Sequence, residues 1–170
     1  AFLPGQGEIT RAAEALSGTL GADVMVVPLY GNLTQKEQDQ AIRPAAAGTR
    51  KVVLATSIAE TSITIDGVRI VIDSGLQRIP AYEPATGMTR LETVRVSRAS
   101  ADQRAGRAGR TEPGIAIRLW HQGQTAALAA HTAPQILASD LSGLVLDMAA
   151  WGVSEPSALR FADPPPNAAF

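Results

Sequence analysis

A chain of 170 residues that is 45% hydrophobic and 18% charged has the composition of a globular protein and not of a disordered one, with length for one ordinary domain and a fragment of another. No apolar run approaches the roughly 20 residues that cross a bilayer, and Ala1-Phe2-Leu3-Pro4 is too short for a signal sequence, so a cytoplasmic location with no membrane partner is the expectation. Cysteine is absent and His121 and His131 are the only histidines, which excludes disulfide scaffolds and cysteine zinc sites and argues against a histidine-centred metal site. The net charge of −1 conceals a pattern: residues 76–118 hold eight arginines against Glu83, Glu92, Asp102 and Glu112, net +4, between two acidic flanks. That middle segment is where an anionic partner would bind.

Phe2-Leu3 reads as the end of a strand whose beginning lies upstream. Ile9 to Leu20 has helical spacing, with Ile9, Ala12, Ala13, Leu16 and Leu20 on one side. Val24 to Pro28 is a wholly apolar run suited to a strand buried on both faces. Thr34 can cap a helix reaching about Ile42, with Glu37 as its capping-box partner. Lys51 to Ala55 and Val68 to Ile72 are further buried strands. Such runs alternating with helices predict an α/β fold, a parallel sheet with helices on both faces.

Leu76 to Val96 is of mixed polarity about the turn-forming Glu83-Pro84-Ala85-Thr86-Gly87, which predicts a β-hairpin or a long excursion. Ser97 to Arg110 reads as a loop and helix, and Gly114 to Trp120 as a last strand. Beyond His121 the character changes: Ala133 to Trp151 and Glu155 to Phe161 read as two helices before Asp163-Pro164-Pro165-Pro166. The break near residues 121–134 marks a domain boundary. Trp120, Trp151, His121 and His131 read as packing residues.

Gln103-Arg104-Ala105-Gly106-Arg107-Ala108-Gly109-Arg110 is the most informative stretch. On one continuous helix, Gln103, Arg107 and Arg110 fall within a sector of about 60°, while Arg104 points elsewhere. Two guanidinium forks can spread over phosphate oxygens, and an amide can orient a water. Gly106 and Gly109 would each cost a helix about 1 kcal/mol relative to alanine, which points to close approach of the backbone to another surface. A solvated arginine-rich helix is the bland alternative; the glutamine and the glycine pair tip the balance toward chemistry.

At every fixed position this stretch resembles QRxGRxGR, motif VI of the superfamily 2 helicases in its DEAH-box form. Ala55-Thr56-Ser57-Ile58-Ala59-Glu60-Thr61-Ser62-Ile63-Thr64-Ile65-Asp66-Gly67 is similar to motif V, Phe2 to Ile9 to motif IV, and Leu29-Tyr30-Gly31 with Gln38 to motif IVa. Motif IV, Ala150-Trp151-Gly152-Val153 and the terminal prolines most resemble the bacterial HrpB-type branch. The resemblance implies a RecA-like second helicase motor domain over residues 1–120 and the start of a winged-helix domain over 121–170. It implies that Arg107 and Arg110 are arginine fingers and that Gln103 positions the hydrolytic water. Ser62 and Thr64 would sense the γ-phosphate, with Asp66 near the ribose or the second finger. Thr56, Ser57, Thr61 and backbone amides near Gly31 would hold nucleic-acid phosphates. Residues 76–96 would be the hairpin that separates or grips strands.

The residues themselves support part of this. Hydroxyls crowd motif V after a buried strand, where open α/β sheets bind ligands, and hydroxyls contact phosphates without reading sequence; a polar turn capping its own backbone would look the same. Glu60 suits a salt bridge to Arg104 better than acid catalysis. Relatives usually carry an aromatic residue near position 43 to stack on adenine; Arg43 stands here, and an arginine face also stacks. Motif V commonly has asparagine where Ser57 stands.

No GxxxxGK[ST] phosphate loop and no DExH segment occurs in the sequence. Those elements hold the triphosphate, Mg²⁺ and the water. The chain is therefore expected to be half of an ATP-dependent helicase, with ATP and Mg²⁺ held mainly by a preceding N-terminal RecA-like domain of the same protein, and inactive as an ATPase alone. Its polymer partner would be single-stranded RNA or DNA, RNA being the expectation for the DEAH-box group. Two rival readings remain at this point: a non-enzymatic nucleic-acid-binding module using the arginine segment, and a structural domain that keeps the fold without the chemistry.

Overall fold

Phe2 joins two pairs of parallel strands into one sheet. In the computed structural model, which describes residues 1–61, 63–83, 85–110 and 112–166, Phe2 bridges Ala55 on one side and Asp73 on the other, both in parallel. Its N–H donates to the Ile72 carbonyl at 2.7 Å and Leu3 N–H donates to that of Ala55 at 2.8 Å. The flanking pairs are β1 (Val24–Leu29) with β2 (Arg50–Ala55) and β3 (Ile70–Asp73) with β6 (Ile115–Arg118).

Two compact units divide the chain: residues 1–78 with 93–132, and residues 79–92 with 133–170. The first holds the sheet. Its core gathers Phe2, Val27, Leu29, Ala41, Ala55, Ala59, Val71 and Ala108. Around the sheet run α1 (Gln6–Leu16), α2 (Gln35–Ile42), the single turn α3 (Ile58–Thr61), α4 (Arg98–Ala105) and the short α5 (Gln122–Thr125). The capping box expected at α2 is formed: the Thr34 hydroxyl accepts from Glu37 N–H, and the Glu37 carboxylate accepts from Thr34 N–H at 2.8 Å. Lys51, on β2, donates to the Ala41 carbonyl at 2.6 Å and to that of Arg43, so a cation closes the C-terminal end of α2.

β3 departs from the expectation of a strand buried on both faces. Val71 and Asp73 are buried, whereas Ile70 and Ile72 are exposed, as are Ile115 and Ile117 on β6. Within this chain the connection from β3 to β6 runs through the hairpin and α4, and α4 lies against β3. That route leaves the Ile70–Ile72 face without a crossover helix.

The hairpin is present as β4 (Leu76–Glu83) and β5 (Met88–Arg95). The Glu83 carbonyl accepts from Gly87 N–H at 2.9 Å, and Gly87 takes φ of +64°, a conformation that favours glycine. Pro84 lies outside the described residues. In the second unit Tyr82 N–H donates to the Ala138 carbonyl at 3.0 Å, and Arg90 pairs with Glu83 at 2.6 Å.

The two C-terminal helices read from the sequence shrink to one, α6 (Ser142–Ala150), between 3₁₀ turns at Gln135–Leu137 and Pro156–Ala158. Asp140 accepts from both the backbone and the hydroxyl of Ser142, which starts the helix later than the apolar periodicity implies. It stops at Gly152, φ +77°, where Val153 N–H reaches the Met148 carbonyl and Gly152 N–H that of Ala149. Those paired bonds are a Schellman stop. Trp151, expected to pack, is 74% exposed at the C-cap of this helix. Trp120 does pack, against Val96, Ala101 and Leu128, and its indole N–H donates to Thr125.

Gly114, just before β6, is the tightest glycine. A Cβ there would lie 1.6 Å from the Ala108 carbonyl oxygen, whereas one at Gly106 would meet nothing within 4 Å. Gly114→Ala is expected to cost about 3 kcal/mol through forced displacement of packed backbone, while Gly106→Ala leaves stability unchanged or slightly higher. Chemical denaturation of both variants checks this; equal midpoints would contradict it.

Candidate functional site

The arginine segment does not form one helix. α4 begins at Ser97, whose hydroxyl accepts from Ser100 N–H at 3.1 Å, and ends at Ala105. Gly106–Gly109 then tightens into a 3₁₀ turn. The single stripe expected for Gln103, Arg107 and Arg110 is therefore broken after Ala105. Gln103 stays exposed on α4. Arg107 and Arg110 are three residues apart on or beside a 3₁₀ turn, where such positions eclipse.

Both arginines turn to motif V. Arg107 donates to the Glu60 carbonyl, and to that of Ile63 at 3.3 Å. Arg110 donates to the Thr64 hydroxyl at 3.0 Å. Burial lowers the pKa of Arg107, the neighbouring charge of Arg110 lowers it further, and Glu60 opposes both. Neither arginine forms an ion pair among the described residues, nor do Arg95 and Arg98, whereas Arg78, Arg90, Arg104 and Arg118 do. Of the arginine-rich segment, Arg107 and Arg110 thus stand as adjacent cations without a carboxylate contact.

Arg104 has the opposite fate. It is 0% exposed. Its Nε donates to Glu60 Oε2 at 3.0 Å, and its Nη1 to Asp73 Oδ1 at 2.9 Å and the Leu76 carbonyl at 3.2 Å. Its guanidinium carbon stands 4.9 Å from the centre of the Phe2 ring. The ion pair with Glu60 is the one expected from sequence, and it occupies the carboxylate that acid catalysis would need. Asp73 was not singled out from sequence. The available signal was an aspartate closing an apolar strand, a charge that a buried position must pair.

Gly31 and Thr56-Ser57 follow β1 and β2 at the carboxyl edge of the sheet, where Thr56 N–H donates to the Leu29 carbonyl at 3.1 Å. Ser57 and Gly31 are exposed and Thr56 is half-buried; Thr61, at the end of α3, is exposed. Ile63 to Gly67 then leads back to the start of β3, so Thr64 and Asp66 lie away from that edge. Asp66 and Arg107 share a cleft of about 900 Å³ with Lys51, Val53, Ile65 and Val71. Its lining is mostly apolar strand surface. Ser62 lies outside the described residues. Arg43, at the C-terminal end of α2, is exposed and 3.8 Å from Asp39. Within this chain Gly106 and Gly109 face open space, so the close approach expected of them has no counterpart in its own packing.

Comparison with known proteins places the chain in a class. Residues 2–112 match the model of the helicase conserved C-terminal domain, and the chain belongs to that family. It is closely related to the bacterial HrpB-type DEAH-box helicases of superfamily 2. It is 53% identical over 165 residues to the ATP-dependent RNA helicase HrpB of Escherichia coli K12, a match covering 97% of this chain and 20% of that protein. With the mouse protein named probable ATP-dependent RNA helicase DHX34 the identity is 42%, over 98% of this chain and 15% of the relative. A crystal structure of E. coli HrpB superposes with a TM-score of 0.93 at 52% identity, covering 99% of this chain and 22% of that one. The chain thus spans about a fifth or less of the length of these relatives. The RecA-like parallel sheet with its hairpin and smaller helical C-terminal segment is the fold this chain shares with HrpB.

Removing the buried cation leaves Asp73 and Glu60 facing one another uncompensated. Arg104→Met is expected to cost about 3–5 kcal/mol, against a much smaller loss for Arg118→Met, whose partner Asp102 is exposed. Urea denaturation of the two variants decides; comparable losses would show that the buried pairing contributes nothing special.

Proposed function

We propose that this chain is the second motor half of an ATP-dependent nucleic-acid helicase, acting on RNA as its named relatives do. It would supply arginine fingers to an ATP site shared with an N-terminal RecA-like domain of the same protein. The observation that carries the reading is the adjacent pair Arg107 and Arg110, both held on motif V and neither spent on a carboxylate. Two neighbouring guanidinium groups repel one another, and a polyanion relieves that repulsion while taking their forked donors.

In this reading Arg107 and Arg110 bind the phosphates and stabilise charge in the transition state, and Gln103 orients the attacking water. Thr64 and Ser62 contact the γ-phosphate, and Asp66 the ribose or the second finger. Thr56, Ser57, Thr61 and the backbone near Gly31 follow the polymer's phosphates at the carboxyl edge of the sheet. ATP fits the donors present. Mg²⁺ would be held by the phosphate loop and acidic motif of the first domain, where it neutralises the triphosphate. Residues 1–120 would be the motor domain, 121–170 the start of a winged-helix domain, and the setting cytoplasmic. Without a first domain the chain has donors but no seat for nucleotide, and no hydrolysis is expected of it alone.

The test is nucleic-acid-stimulated ATP turnover in the longer protein. Arg107→Ala is expected to lower it about 10³-fold; full turnover in that variant would sink the finger assignment and leave a phosphate-gripping module as the reading. Arg43 is assigned to stack on the base through its guanidinium plane. Arg43→Ala should then weaken ATP and GTP binding unequally, and identical affinities in wild type and variant would remove that role.

A further inference from the structure

Glu60 has two ends, and each holds a different arginine of the same segment. Its carboxylate accepts from Arg104 Nε at 3.0 Å, with the glutamate side chain 13% exposed and the arginine 1%. Its main-chain carbonyl accepts from Arg107. Arg104 is anchored independently of Glu60, by Asp73 Oδ1 and the Leu76 carbonyl. The chain of contact therefore runs from the end of β3, through the buried guanidinium, to α3 and on to Arg107.

From this geometry we infer that Glu60, pinned by Arg104, is a positioning residue that sets the direction of the Arg107 guanidinium. The inference rests on the reading of Arg107 as a finger. Glu60 touches no nucleotide in it; it acts only through Arg107.

Geometry favours this over a plain structural pairing. α3 is a single turn of four residues, Ile58–Thr61, too short to hold its own orientation by helical hydrogen bonding. Ala59 is anchored in the core, but Glu60 lies at the edge of burial. One backbone bond, from Glu60 N–H to the Ser57 carbonyl at 2.9 Å, holds the residue on its main-chain side, and the direction of its own carbonyl depends as well on what holds its side chain. The ion pair supplies that hold. Arg107 has a second acceptor at Ile63, which defines a fork-shaped seat from carbonyls only three residues apart. If α3 swings, the two acceptors move unequally and the guanidinium turns with them.

A finger misdirected by a fraction of an ångström to an ångström loses rate without losing much binding, since the contact it makes is strongest in the transition state. Glu60→Gln retains the size, the carbonyl and a neutral acceptor while removing the charge. Arg104→Lys retains the charge but replaces a planar fork by a single ammonium that cannot serve Glu60 and Asp73 in the same geometry.

The experiment measures nucleic-acid-stimulated ATP turnover in the longer protein for Glu60→Gln, Arg104→Lys, Arg107→Ala and the double variant Glu60→Gln/Arg107→Ala. Glu60→Gln is expected to lower kcat about tenfold with KM for ATP held within about twofold. Arg104→Lys should give the same pattern. In the Arg107→Ala background Glu60→Gln should change nothing further, because the residue through which it acts is gone. An equal loss from Glu60→Gln with and without Arg107 overturns the inference and makes the glutamate merely structural. Wild-type kcat in Glu60→Gln overturns it as well. Full turnover in Arg107→Ala brings down the finger assignment itself, an outcome distinct from the first two.

Discussion

A guanidinium with no exposure to water is the constraint around which the first unit is arranged. Arg104 loses its hydration on folding, a penalty of several kcal/mol even after relaxation, and offsets it with two carboxylates, a carbonyl and an aromatic face. Each of those partners sits on a different piece of chain: α3, the end of β3, the start of the hairpin, and the Phe2 bridge. An arginine can satisfy four such partners because its donors are fixed in a plane while its faces stay free to meet a ring. The residue that closes the sheet at its centre and the second residue of motif VI are thus in contact, which explains why segments far apart in sequence hold one geometry.

The charge balance of that hub also bears on the arginines outside it. Two carboxylates face one guanidinium, a formal excess of one negative charge. Asp73 Oδ1 also accepts from Gly75 N–H at 2.9 Å, while Asp73 Oδ2 has no hydrogen-bond partner among the described residues. Glu60 raises the pKa of Arg107 against the opposing effects of burial and of Arg110. An anion arriving between the two arginines would replace repulsion with attraction on both, without any need to disturb Arg104.

How much of this was legible in the sequence depends on how local the physics is. β1, β2 and the capped start of α2 follow from runs and pairs within a few residues, and they form close to where expected. The hairpin follows from a turn cluster and from Gly87, whose left-handed φ is a local demand. The pairing of Glu60 with Arg104 was expected and forms. Asp73 carried a local signal, an acid closing an apolar strand, but nothing in the sequence says which cation it meets. The bare face of β3 escaped because Val68 to Ile72 is apolar at every position, and such a run does not reveal that one face stays uncovered. Ala133 to Trp151 was over-read as helix for a related reason: its apolar residues have helical spacing, but Asp140 holds the start back to Ser142, and Glu155 to Phe161 yields only the 3₁₀ turn Pro156–Ala158.

The arginine motif departs from its expected geometry after Ala105, where the helix gives way to a 3₁₀ turn. On an α-helix, Arg107 and Arg110 would diverge by about 60°; on a 3₁₀ turn they eclipse, about 6 Å apart along the axis. The tightening is sustained from behind, where Gly114 brings the approach to β6 so close that its absent Cβ would collide with the Ala108 carbonyl. It is sustained in front by the donor bonds from Arg107 and Arg110 to residues 60–64. A 3₁₀ turn is poorly stabilised by its own hydrogen bonds, so one held between a strand and a loop depends on both. Gly106 and Gly109 then have a use that needs no close packing within this chain: without side chains of their own, they leave the face beside each arginine open to whatever the guanidinium groups are to meet.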